Sequence, residues 1–185
     1  MTNQNMHSAI RKIAWGFVLI HTHVYIGSLD LLPDWAGYLL FLAALPILGE
    51  REESAKLLIP LSKVIAAYSG ICWISKGFLG KELSLEIITI FASVLILYFH
   101  FQLLTNVANI AKKYNSEKEK MILHLRTANT ILITFYTVIG RFAQIEIIQV
   151  IMSAFAYIWV GIVILICVAL FSLGKEIGQS EVMEQ

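Results

Sequence analysis

Residues 147–173 form an unbroken apolar run of 27 positions without one Asp, Glu, Lys or Arg. A helix needs roughly 20 such residues to cross a bilayer's hydrocarbon core, and a helix satisfies its own backbone polar groups in lipid. Further apolar runs cover residues 13–29, 35–50, 60–79, 85–104 and 127–145. Only 15% of the 185 residues are charged, against about a quarter in a soluble domain. Mean hydropathy is +0.74. The reading is an all-α polytopic membrane protein: one integral membrane domain of six transmembrane helices, with a polar loop over 109–126.

Charge placement orients the bundle. With the N-terminus cytoplasmic, the inner segments hold Arg11, Lys12, Arg51, Lys56, Lys112, Lys113, Lys118, Lys120, Arg126 and Lys175, and the outer loops only Lys76, Lys81 and Arg141. That bias follows the positive-inside rule and puts both termini in the cytoplasm for an even number of spans. The expected location is the cell membrane, as a multi-pass protein. Lys63 lies in the third run, near enough to its inner end to snorkel. Among the inner cations, Glu117 and Glu119 dilute the charge, so a solvated topological loop is favoured over a lipid patch. A net charge of +1 leaves no basic stripe for nucleic acid. Cys72 and Cys167 sit in apolar runs and read as small buried hydrophobes.

The stretch GFVLIHTHVYIGSLDLLPDWAGYLL, residues 16–40, is unusually polar for its setting. Pro33 lacks a backbone donor and drives Leu32 out of the helical region. Asp34 is then placed to cap the following helix, and the first two spans form a tight hairpin with an outward tip. If the first helix continues, Asp30 lies seven residues from His23 on one stripe. His21 and His23 are two apart, about 200° around the axis, so the HTH string is no metal clamp. Histidines inside a span face the bundle or a wet cavity. Packing and a proton path through His21 and His23 are both open readings. His100 meets them only if the first and fourth helices touch.

Arg141, on the short fifth-to-sixth connection, either pins the hairpin through Asp30 or Asp34 or holds an anionic group. Ala66, Gly70 and Gly77 suit close helix contact. Trp35, Trp73 and Trp159, with Tyr38 and Tyr157, read as interface markers. Ser84 is a candidate cap for the fourth helix. No HExxH, GxSxG or Walker loop occurs, and no ligand cluster has metal spacing. The expectation is therefore no catalytic residue, no metal and no cofactor.

Asp30, Leu32, Pro33, Asp34, Gly37 and Tyr38 stand in the pattern D-[IL]-L-P-D-x-x-G-Y. Within residues 11–42 the chain resembles a family of small, uncharacterised multi-span membrane proteins of Gram-positive bacteria. That resemblance implies a membrane fold and brings no activity. The size and six-span layout are similar to the substrate-binding subunits of energy-coupling-factor vitamin transporters, without their ligand-contacting strings, and architecture does not carry function.

The functional expectation is a non-enzymatic protein with an outward-facing polar pocket that binds or transports a small solute, alone or as a subunit of a transport complex. The candidate contacts are His23, Asp30, Asp34 and Arg141. The alternative is a structural or accessory protein acting through other membrane proteins.

Overall fold

The computed structural model describes residues 4–27, 29–80, 86–140 and 144–183. It is built from six α-helices: α1 (Gln4–His21), α2 (Asp34–Arg51), α3 (Leu58–Leu79), α4 (Glu86–Lys113), α5 (Lys118–Ile139) and α6 (Glu146–Met183). A 3₁₀ turn, Glu53–Leu57, joins α2 to α3. Between α1 and α2 two-residue strands, β1 (Tyr25–Ile26) and β2 (Leu29–Asp30), pair antiparallel as Tyr25↔Asp30 and Ile26↔Leu29.

Each helix packs on its sequence neighbours, and α6 returns to α1. The six therefore close a ring, and α2 also touches α4 across it. Phe17, Phe41, Leu45, Phe99, Leu103 and Leu170 are among the fully buried side chains at its centre. The outside is apolar as well: Ile87 is 82% exposed, Tyr157 81% and Phe78 69%. Water penalises such surface by roughly 25 cal/mol per Å²; lipid does not. Four stretches are long and apolar enough to cross a membrane: Glu53–Phe78, Ile87–Lys113, Lys118–Ile139 and Glu146–Ser180. The helices α1 and α2 fall short of that class. Each has 18 residues; α1 carries Arg11 and Lys12 midway, and α2 carries Asp34, Glu50 and Arg51 at its ends.

The seam between α1 and α2 is set by two glycines. A Cβ on Gly37 would lie 2.5 Å from Ile20 Cγ1 and 2.7 Å from the Gly16 carbonyl oxygen. Two backbones this close leave no room for a side chain. The close contact expected around Ala66 and Gly70 is not of this kind. A Cβ on Gly70 would meet Trp35 only at 3.9 Å, so α3 is loosely packed there.

Several boundaries differ from the sequence reading. The helix α1 stops at His21 instead of running to residue 29, because Tyr25–Ile26 pairs with Leu29–Asp30 as a hairpin, with Gly27 at φ +63°. The polar stretch 109–126 is not a long loop. Instead α4 continues through Lys113 and α5 starts at Lys118, since charged residues are good helix formers outside lipid. Pro33 (φ −70°, ψ 140°) takes the cap position of α2, and no side chain caps it. Asp34 is thus the first helical residue and not the cap, though its carboxylate still sits at the favourable end of the helix dipole. Tyr38 is no interface marker either; it is 2% exposed in the core. Cys72 and Cys167 are free and half-buried, less buried than expected. Ser84 and Arg141 lie outside the described residues.

At the end of the ring where α1 begins, polar side chains tie helices together. Lys113 Nζ lies 3.1 Å from Glu52 Oε2, and Ser54 donates to Asn106 Oδ1 at 2.9 Å. Ser116 donates to Glu176 on α6, and Arg126 lies 4.3 Å over the Phe101 ring while donating to Thr105.

Candidate functional site: a polar cavity behind the first hairpin

His23 and Asp30 are brought together by the hairpin. His23 Nδ1 lies 2.7 Å from Asp30 Oδ2. Their seven-residue spacing was expected to align them on one helix; the chain instead folds back on itself between them. Asp30 Oδ1 accepts from the amides of Val24 (3.3 Å) and Leu32 (3.0 Å). One carboxylate thus holds both arms of the hairpin and the approach to Pro33. Leu31 N–H donates to Val24 O at 2.8 Å and extends the ladder. The Trp73 indole on α3 donates to Asp30 O at 2.7 Å and anchors the turn to the bundle.

Burial raises the affinity of Asp30 for a proton, but the bonds from His23, Leu32 and Val24 outweigh it, and its carboxyl is held below the usual range. Asp34 is the opposite case. Its Oδ1 is closed to solvent and has no hydrogen-bond partner among the described residues, 4.0 Å from His23 Nδ1, although the side chain as a whole is 44% exposed. Burial pushes Asp34 up to about 6; His23 pulls it down and the neighbouring Asp30 charge pushes it further up. The two acids do different work: Asp30 is spent on the hairpin, and Asp34 keeps an open acceptor.

These groups border a cavity of about 260 Å³ between the hairpin and the helices α3 and α4. Tyr25, Tyr68 and Trp73 supply aromatic walls, and Ser69, Cys72 and Lys76 further polar ones. Ile96 closes it on α4. Ile96 lies ten residues from the start of α4, about 15 Å along the helix, so the cavity is recessed below that helix end.

His21 is elsewhere. Its Nδ1 donates to Phe17 O at 2.8 Å, and its ring lies 6.1 Å from His100 and 5.3 Å from Trp159, centroid to centroid. His100 does reach α1, as the sequence required for any meeting of the histidines. It is 3% exposed, 3.4 Å from Tyr38 Oη through Nε2, and its Nδ1 has no hydrogen-bond partner among the described residues. No hydrogen bond links His21 to His23 among the described residues. The structure therefore gives two separate polar groupings: His23, Asp30 and Asp34 at the cavity, and His21, His100 and Tyr38 in the core.

Sequence reasoning missed Trp73, Tyr68 and Ser69 as cavity walls. Trp73 stood out only as a tryptophan near a span end, and nothing in the α3 sequence marks which face meets the hairpin. No group of three His, Cys, Asp or Glu side chains among the described residues is placed to hold a metal ion. The chain matches no protein-family model, and no similar curated protein or solved structure is found.

Proposed function

We propose that this chain is a six-span cell-membrane protein, with both termini cytoplasmic, whose cavity faces outward and binds or passes a small cationic solute without enzymatic chemistry. One observation carries the reading: the half-exposed Asp34 carboxylate lines a cavity walled by aromatic rings, and its Oδ1 accepts no hydrogen bond from the described residues. A carboxylate among aromatic faces attracts an ammonium group both by charge and by the ring quadrupoles. At about 260 Å³ the cavity lies below the usual range for drug-sized ligands, so the solute is small. A role as the binding subunit of a larger transport complex belongs to this reading. The D-L-L-P-D-W-A-G-Y stretch is then the element that shapes the cavity, since it supplies the pinned hairpin and the first turn of α2.

The test is titration of the purified protein with small ammonium ions and with neutral and anionic solutes of the same size, read by tryptophan fluorescence. The expected result is binding of the cations alone, lost in Asp34→Asn without loss of fold. Equal binding of neutral or anionic solutes overturns the reading. A silent response to the whole panel leaves the accessory role, in which the polar cluster only locks the hairpin.

A further inference from the structure

On the hairpin side, α1 and α2 end well short of the helices around them. His21, the last residue of α1, lies beside His100 on α4 and Trp159 on α6, and Trp159 donates to Asn129 on α5. From that level α4 reaches back fourteen residues to Glu86, α5 runs ten to Ile139 and α6 reaches back thirteen to Glu146, or about 15–21 Å. The cavity beside Asp34 is only one turn higher than His100, because its α4 wall is Ile96, four residues or about 6 Å away. Hairpin and cavity therefore lie about 9–15 Å below the ends of α4, α5 and α6 on that side.

The helix segments above that level suit hydrocarbon. Residues 87–95, 130–139 and 147–158 contain no Asp, Glu, Lys or Arg, and Ile87, Phe91, Ile147 and Val150 among them are exposed. A two-stranded ribbon has ladder bonds on one side of each strand only, so its outer edges need other partners. The Trp73 indole supplies one, at Asp30 O. At hydrocarbon depth such edges persist only inside protein or against water. Val24, Tyr25 and Leu31 are exposed, so this ribbon is not inside protein and faces water. On α3 the buried Ser62 and Ile65 are followed along one stripe by Ser69, Cys72 and Lys76, which line the cavity; the cavity is thus on the inner side of the ring. Where α1 and α2 have ended the ring is an arc: α3 packs on α4 and α6 on α5, and α3 and α6 share no seam among the described residues. The arc opens sideways between them.

We infer that this opening is a water-filled notch in the leaflet on the hairpin side, through which Asp34 takes the ammonium head of a single-chain amphiphile whose chain stays in the bilayer. At about 260 Å³ the cavity has room for the head and not for the chain, and its aromatic walls suit an ammonium. The notch requires only the depth of the hairpin; the headgroup chemistry rests on the cation reading above.

The full chain, in a background lacking Cys72 and Cys167, is reconstituted in phosphatidylcholine nanodiscs with a spin label on Val24→Cys or on Tyr157→Cys. Tyr157 is exposed and two residues from Trp159, so the two labels sit at similar depth. The expected result is a Val24 label relaxed by a water-soluble nickel chelate and a Tyr157 label relaxed by oxygen instead. Two labels that respond alike, in either sense, overturn the notch. The unaltered protein in the same nanodiscs is titrated with tetramethylammonium and with hexyl-, octyl- and decyltrimethylammonium, read by tryptophan fluorescence. The dissociation constant, in free aqueous amphiphile, should fall about fourfold for each methylene added from hexyl to decyl. Asp34→Asn, with the Val24 label unchanged, should lose the response, and a response that persists overturns the assignment of the head. Binding of tetramethylammonium with no gain from chain length overturns entry from the leaflet and leaves the small-solute reading standing. Binding of none of the four overturns both.

Discussion

Replacing Asp30 by Asn tests whether that carboxylate is a hairpin pin or a solute contact. Asp30 is 13% exposed at its side chain and accepts from three donors: His23, the Val24 amide and the Leu32 amide. Hydrogen bonds to a charged group contribute about 1.5–3 kcal/mol each where they are buried. Asn keeps one oxygen, so the pair of amides can still be served, but the oxygen facing His23 becomes an NH₂ or the two amides lose their acceptor. Allowing for His23 being 41% exposed, the net loss is about 2 kcal/mol in holding the hairpin closed. At 1.36 kcal/mol per decade, that is roughly a 30-fold rise in hairpin opening. Amide hydrogen exchange in detergent reads it directly: Val24, Leu31 and Leu32 should exchange about 30-fold faster, while the core of α4 and α6 is unchanged. A His23→Ala variant should show the same direction, and the double variant less than the sum. Unchanged exchange at Val24 and Leu32 in Asp30→Asn, with altered solute binding, would refute the pin and make Asp30 a ligand contact.

Asp34 predicts a pH dependence of opposite sign to that of Asp30. Its carboxyl titrates at about 6 in the folded protein against an ordinary value of 3.8, so stability falls as pH rises from about 4 to 6 and stays lower above. Asp34→Asn should raise the melting midpoint at pH 7.5, with the gain gone near pH 3.5; a gain that persists there refutes the assignment. Cation affinity should weaken about tenfold per unit below pH 6, and a profile flat from pH 7.5 to 4.5 refutes Asp34 as the contact. Asp30, held below its ordinary range, contributes stability above that range which is lost as pH falls through its lowered value. Gly37→Ala should destabilise by about 1–3 kcal/mol through overpacking against Gly16 and Ile20, in spite of alanine's better helix propensity; an unchanged melting midpoint would show that α1 and α2 can separate freely. In a background lacking Cys72 and Cys167, Tyr25→Cys should react with an impermeant maleimide from outside the cell and Asn115→Cys only after permeabilisation, and the reverse pattern refutes the orientation.

The helical membrane class was legible because lipid imposes a strong and simple constraint. Apolar length alone identified the four long helices, and Pro33 marked the start of α2 to within one residue. The errors have physical causes. Apolarity cannot distinguish a helix from a short ladder over residues 25–30, so α1 was drawn eight residues too long. Beyond the bilayer, charged residues such as Lys112 and Lys113 extend a helix as readily as they end one, which shortened the expected loop. His23 and Asp30 were paired for the wrong reason, through a helical stripe where a hairpin does the joining. The close approach of Gly16 to Gly37 went unread, because the three-residue and four-residue spacings that flag small-residue seams operate within one helix. Here the two partners are on different helices and meet only once the turn is made. Trp73 could not have been assigned to Asp30 from sequence, since its target is a main-chain oxygen and carries no side-chain signature.

The return of α6 to α1 has a consequence for the order of assembly. Five of the six seams join consecutive helices and can form as each pair leaves the ribosome. The last cannot: 124 residues separate the end of α1 at His21 from the start of α6 at Glu146. At 5–20 residues per second that interval lasts about 6–25 s. Throughout it the flank of α1 that carries His7 and Ile10 has no Gly174 or Gly178 to rest against. The nascent chain is therefore open along one side until α6 has been made, and a substitution on that flank will be felt first as poor biogenesis.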